Sequence, residues 1–160
     1  MANPEPLDRG SLHRFADWPN EVIPRVAAGV YTVWQGDRFL YVGMAGRKLS
    51  AEDIREARAI GEKKRRGLAD RLTSHASGRR SGDQFCVYIC DRLVLPTLTQ
   101  GQLHQVGSAE LLLDELTKHY IRSNLSYRFI ETASGKEAFA VERDVQAGAL
   151  AAGRPFLNPA

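Results

Sequence analysis

Two tyrosines, an arginine and a glutamate are the residues of this chain whose types could share a piece of phosphate chemistry. Tyr31 closes the tripeptide Gly29-Val30-Tyr31 and Tyr41 opens Tyr41-Val42-Gly43, ten residues further on. A phenol can give or take a proton in a transition state. A guanidinium holds phosphate oxygens with paired charge-assisted hydrogen bonds, and a carboxylate is the ligand that a hard divalent cation selects. Together with Arg71, Glu142 and a terminal Leu157-Asn158-Pro159, the tyrosines make the pattern expected of a phosphodiester-cleaving site.

Two of these residues stand where a charge is expensive. On a helical wheel Ala138, Val145 and Ala149 define an apolar stripe, and Glu142 falls inside it. An unpaired buried carboxylate costs several kcal/mol, so Glu142 is expected to bind a metal ion, pair with a cation or reach solvent through a cleft. Arg71 and His75 lie along one margin of a second stripe formed by Leu68, Leu72 and Ala76, which makes Arg71 a candidate for facing a cleft. The plain alternative is an internal Arg71–Glu142 ion pair joining two helices, with Tyr31 and Tyr41 as ordinary half-buried strand aromatics.

The elements that must position these side chains follow from periodicity and turn chemistry. Gly29 to Trp34 and Phe39 to Gly43 flank Gln35-Gly36-Asp37, a hairpin signal. A three-residue loop closed by Trp34 and Arg38 would set Tyr31 opposite Tyr41 on one face, and a two-residue loop would send the phenols to opposite faces. Ser50-Ala51-Glu52-Asp53 reads as a capping box opening a short helix that ends at Gly61, and a second helix follows from about Arg66 to Ser77. The run from Gln84 to Cys90 is apolar on both alternating sets and is expected to be a doubly buried strand. Pro96 and Gly101 mark a loop. A helix from about Ser108 to Arg122 carries Leu112, Leu113, Leu116 and Tyr120, Tyr127 to Glu131 reads as a strand, and Ser134 with Glu137 caps the last helix. The expected fold class is α/β (α+β), a small mixed or antiparallel central sheet flanked by helices.

At 160 residues and 43% apolar content the chain supports one core, over 21–160, preceded at 1–20 by an extended arm or partly ordered lead-in that is rich in proline, lacks a period and is expected to be pinned to the core at its end by Phe15 and Trp18. A net charge of +3 permits a polyanionic partner without demanding one. The most basic stretch, Ala57 to Arg80, holds Lys63, Lys64, Arg65, Arg66, Arg79 and Arg80 and could grip a phosphate backbone, although such a run is commonly a solvated face. On the expected strand Cys86 and Cys90 would stand ~13 Å apart, too far to bridge. Without an N-terminal apolar stretch or a run of transmembrane length, a reducing, cytoplasmic setting is expected. The four histidines share no ligand spacing with the cysteines, and neither a phosphate-binding Gly-rich loop nor a Gly-x-Ser-x-Gly elbow is present.

With these residues in hand, the chain resembles the GIY-YIG nuclease family, named after the two tripeptides that here read Gly29-Val30-Tyr31 and Tyr41-Val42-Gly43. The family's helix arginine corresponds to Arg71 in Leu68-Ala69-Asp70-Arg71-Leu72, its metal-binding glutamate to Glu142 and its late asparagine to Asn158. The likeness spans about Gly29 to Pro159, with all five positions in order.

That resemblance implies metal-assisted hydrolysis of DNA phosphodiester bonds: Mg²⁺ or Mn²⁺ on Glu142, Tyr31 as or beside the general base, Arg71 on the phosphate, Tyr41 holding water or phosphate, and Asn158 orienting the site. A phenol needs help to lose its proton at neutral pH. Many family members carry a lysine directly after the second tripeptide, where this chain has Met44, so Arg47, Lys48 or His75 is expected to replace it. The segment around 84–125 looks like an insertion between Arg71 and Glu142 that could carry selectivity or dimerisation. The alternative is a nucleic-acid-binding protein on the same fold that cleaves weakly or not at all.

Overall fold

A central hairpin sets the geometry of the whole chain. The structure, a computed structural model, describes residues 2–158. Pro159, the end of the Leu-Asn-Pro signature, lies outside the described residues. The elements run α1 (Pro6–Arg9), β1 (His13–Arg14), β2 (Val26–Gln35), β3 (Arg38–Ala45), α2 (Ala51–Ala59), β4 (Arg66–Gly67), α3 (Leu68–Ser77), α4 (Gln84–Ile89), α5 (Gln100–Gly107), α6 (Leu113–Asn124), β5 (Ser126–Thr132) and α7 (Gly135–Gln146). The fold is mixed α/β. Four strands form an antiparallel path in the order β1-β5-β2-β3, and the short β4 pairs in parallel with β2.

β2 is the central strand, and alternation divides its side chains between two layers. Tyr31 and Val33 join Leu40, Tyr127 and the inner faces of α3, α4 and α6, including Leu68, Leu72, Phe85 and Ile121. On the other face Val30 and Trp34 join Phe39 and Val42 against Ala138, Val141 and Val145 of α7. The second layer also takes in Leu7, whose carbonyl accepts from Thr32 Oγ1 at 2.7 Å.

The hairpin departs from both expected registers. Gln35 pairs with Arg38, so the loop has two residues, Gly36 and Asp37, with Gly36 at φ 56°. A two-residue loop should have separated the phenols. The register shifts between Val33 and Trp34: Trp34 faces Phe39 but Val33 faces Tyr41, which leaves Leu40 as the extra residue of a bulge. Phe39 therefore enters one layer and Leu40 the other, and Tyr41 returns to the face of Tyr31. Tyr31 stands opposite Gly43 rather than Tyr41.

Other expectations are corrected as well. The run Gln84–Ile89 is helix, not strand, because Asp83 caps it by accepting from the Cys86 N–H, and its buried members Phe85, Cys86 and Ile89 share one helical face. Cys86 and Cys90 are then one turn apart, ~6 Å along the axis, and both are buried free thiols. The loop expected after Pro96 holds α5, opened by a Thr99/Gln102 capping box that the glycine at 101 obscured. The following helix begins at Leu113 rather than Ser108, after Ala109 takes a φ of 61°. Finally, the lead-in at 1–20 is not an extended arm: α1 and β1 fold onto the sheet and Leu7 is fully buried, while Phe15 and Trp18 do pin its end to the core. Elements this short cannot register as a period. Ser50/Asp53, Ser134 and the strand at β5 stand where the pattern put them.

Candidate active site

β3 is an edge strand of the sheet, so side chains from both layers can meet at its C-terminal end. They line a cleft of about 300 Å³: Tyr31 from β2; Tyr41 and Gly43 from β3, with Met44 to Arg47 beyond; Arg71 and His75 from α3; Asp83 to Phe85 at the start of α4; and Glu142 from α7. The phenols lie side by side with ring centroids 6.4 Å apart. Gly43 is what permits this, because a Cβ there would fall on the Tyr31 hydroxyl and come within 2.6 Å of Tyr31 Cζ. Gly29, the first glycine of the pair, similarly leaves room for Leu68 of α3 at 2.6 Å and for the Ile130 carbonyl.

Behind the cleft runs a chain of short hydrogen bonds. The Tyr31 hydroxyl lies 2.6 Å from His75 Nε2, and His75 Nδ1 lies 2.7 Å from Asp83 Oδ2. Asp83 also accepts from Ser74 Oγ at 2.7 Å and from the Cys86 N–H at 3.3 Å. Burial alone would raise the Asp83 carboxyl, but the bond and charge of His75, followed by Ser74 and the Cys86 amide, outweigh it and hold Asp83 at about 2. An ionised Asp83 can only accept, so His75 donates through Nδ1–H and Tyr31 donates to the bare Nε2. Burial lowers the His75 pKa against the pull of Asp83, which keeps the ring neutral at neutral pH. The ring packs against a tilted Phe85 ring, centroids 4.4 Å apart, and meets Tyr41 edge-on at 6.2 Å.

Burial, reinforced by Tyr41, lifts the Tyr31 phenol well above its usual range in spite of Arg71. Arg71 therefore does not produce a standing phenolate, and His75 Nε2 is the acceptor placed against the Tyr31 hydroxyl. Tyr41 is pushed up to about 12, first by burial and then by Glu142 and Asp83, and its hydroxyl has no protein partner among the described residues.

Glu142 is half-buried, and burial raises its pKa against the opposing influence of the Met44 backbone N–H, Arg47 and Arg71. The internal Arg71–Glu142 ion pair is not found: among the described residues neither side chain forms an ion pair, and Arg71 is exposed. Asn158 does not line the cleft. Its amide accepts from the Val42 N–H at 2.8 Å and donates to the Val42 carbonyl at 2.9 Å, completing the outer edge of β3 between Leu40, which accepts from the Leu157 N–H, and Met44. The position thus fixes the strand that carries Tyr41 and Gly43.

Of the three residues weighed as replacing a lysine at Met44, His75 is the one bonded to Tyr31. Arg47 lines the cleft with its guanidinium over the Phe139 ring at 4.5 Å, and Lys48 is exposed outside the lining. Apart from Arg71, the basic stretch is not brought to the cleft. Arg66 pairs with Glu62 and Arg80 with Asp114, while Lys63, Lys64, Arg65 and Arg79 are exposed elsewhere.

Asp83 is the site residue that sequence reading passed over. Its signal was present, an aspartate after Ser81-Gly82 and before an apolar run, which is an N-cap pattern. His75, Asp83 and Cys86 also bring three potential metal-ligating atoms within 4.8 Å of one another. Those of His75 and Asp83 are spent on each other and on Tyr31 and Ser74, and burial followed by Asp83 raises the Cys86 thiol, so the cluster is a hydrogen-bonded relay rather than an open ligand set.

Comparison of the chain with protein-family models, with curated proteins and with solved structures gave no match. The site's own geometry carries the functional reading. No helix among the described residues is long and apolar enough to cross a membrane.

Proposed function

We propose that the chain is a divalent-metal-dependent endonuclease of the GIY-YIG kind that hydrolyses phosphodiester bonds of DNA. The observation that supports this best is the meeting in one cleft of Tyr31, Tyr41, Arg71 and Glu142 from four elements, with neither Arg71 nor Glu142 in an ion pair among the described residues. A structural network would have spent those two charges on each other.

The attacking water gives its proton to the Tyr31 oxygen as the Tyr31 proton passes to His75 Nε2. The water oxygen bonds to phosphorus, the bond to the 3′ oxygen breaks, and that oxygen takes a proton from solvent. Arg71, with Arg47 beside it, holds the non-bridging oxygens, and Tyr41 offers its free hydroxyl to the water or the phosphate. A half-buried carboxylate in no ion pair among the described residues suits Mg²⁺ or Mn²⁺, which keeps several waters, so Glu142 would be its protein ligand. When bound, the ion supplies charge stabilisation at the phosphate and at the leaving oxygen. Two buried free thiols fit a reducing, cytoplasmic setting.

Met44 favours a second reading, a nucleic-acid-binding protein that cleaves weakly for want of a lysine. The 2.6 Å contact of Tyr31 with His75 weighs against it by providing another proton acceptor.

The test is cleavage of supercoiled plasmid by the full chain and by Glu142→Ala, with Mg²⁺, Mn²⁺ or EDTA. Nicking or linearisation that needs the metal and Glu142, with folding and DNA binding retained in the variant, is the expected outcome. A fully folded parent that binds DNA and leaves plasmid, branched DNA and RNA intact would favour the second reading.

A further inference from the structure

We infer that Asp83 is a positioning residue of this site: its carboxylate holds the His75 ring with the proton on Nδ1, so that Nε2 stays bare and aimed at the Tyr31 hydroxyl. The inference rests on the nuclease reading for its chemical consequence and on geometry for its substance. Three bonded partners aim the carboxylate, His75 Nδ1 at 2.7 Å, Ser74 Oγ at 2.7 Å and the Cys86 N–H at 3.3 Å, and Asp83 is only 2% exposed. A rotatable, solvated aspartate could not select a tautomer. This one is fixed by the same turn that caps α4, so the helix start and the proton acceptor are built together.

The charges and titratable groups around the imidazole are Tyr31 from β2, Tyr41 from β3, Arg71 on its own helix, and Asp83 and Cys86 from the start of α4. Of these, Asp83 is the anion in direct contact. When His75 takes the Tyr31 proton, it becomes an imidazolium whose counter-charge is already in place, and neither water nor a lysine is needed beside the phenol. Phenol, imidazole and carboxylate then act in the order hydroxyl, imidazole and carboxylate do in hydrolytic triads, with water rather than the tyrosine as the nucleophile. This gives a physical reason why Met44 can stand where a lysine is otherwise expected.

The decisive experiment pairs nitrogen NMR of the His75 ring in the full chain, assigned by its loss in His75→Gln, with pH profiles of plasmid cleavage. In the parent near neutral pH, Nδ1 should be protonated and Nε2 bare. Asp83→Asn should lose that fixed tautomer and cut the cleavage rate on the order of 10²- to 10⁴-fold, by analogy with triad carboxylates, and Asp83→Glu should recover part of it. The acid limb of the residual activity in Asp83→Asn should move to lower pH, because the anion that favours imidazolium is gone; a purely structural role would not shift it. A parent ring protonated on Nε2, or an Asp83→Asn protein with an unchanged tautomer and parental cleavage, would overturn the inference. Should Asp83→Asn not fold, the parent tautomer and its response to Ser74→Ala decide the matter. If Asp83 governs the tautomer but the parent cleaves no nucleic acid, the nuclease reading fails and the positioning role stands.

Discussion

Tyr31, His75 and Asp83 are each at most 2% exposed, so each polar atom among them depends on its neighbour rather than on water. Losing one partner strands a buried group, at about 1–3 kcal/mol. The relay also ties stability to pH. The His75 pKa is lower in the fold than in the unfolded chain, so the unfolded state binds more protons once the pH drops toward ~6.5. Its contribution is present above that value and is lost as pH falls. Asp83, held at about 2, adds a second loss between ~3.9 and that value. Denaturant melts should therefore show stability falling between pH 7.5 and 5.5, and His75→Gln should flatten that interval; an unchanged slope in the variant would contradict the assignment to His75.

At the scale of elements, the edge of β3 decides whether the site exists. The Leu40 bulge returns Tyr41 to the face of Tyr31, Gly43 leaves room for the phenol, and Asn158 closes the edge beside them. Asn158 completes both outward-facing polar groups of Val42, so Asn158→Ala should cost about 1–3 kcal/mol of folding stability. Cleavage should fall through a loosened strand, and Asn158→Asp, which can accept from the Val42 N–H but cannot donate to its carbonyl, should sit between. Thermal melts beside rate measurements check this: full stability with abolished cleavage would place Asn158 in the chemistry instead. The α7 helix contributes in a different way. It packs Ala138, Val141 and Val145 on the far layer, yet delivers Glu142 to the cleft because, among the described residues, β3 has no neighbouring strand beyond it.

For the whole molecule, a net charge of +3 is spread unevenly between a cleft with Arg47 and Arg71 and an exposed run at Lys63, Lys64 and Arg65 that lies off the cleft lining. These should separate in function. Replacing Lys63 and Lys64 with alanine should weaken DNA affinity and reduce its salt dependence, the log–log slope falling by about 0.9 for each phosphate that is no longer neutralised, while cleavage at saturating DNA is unchanged. Arg71→Ala should lower the saturated rate itself. Affinity titrations over a salt series together with single-turnover cleavage read both effects; a fall in the saturated rate of the double lysine variant would mean that the loop reaches the reacting phosphate.

The sequence by itself determined the candidate residues, the capped helices α2 and α7, the strand β5 and the central hairpin, because these rest on local signals: a box of polar side chains, a period, a turn. It could place Glu142 on an apolar stripe, but not say that the stripe ends at an open sheet edge. Only the tertiary structure decided the rest. The register hinged on one bulged residue that alternation cannot reveal. An apolar run of six fits a buried strand and a buried helix equally well, and Asp83 tipped it to helix. That cap also meets His75 eight residues away, a contact that no linear spacing encodes. The types of the candidate site residues are local information, whereas their protonation depends on burial and on partners brought from distant elements, which exist only once the chain has folded.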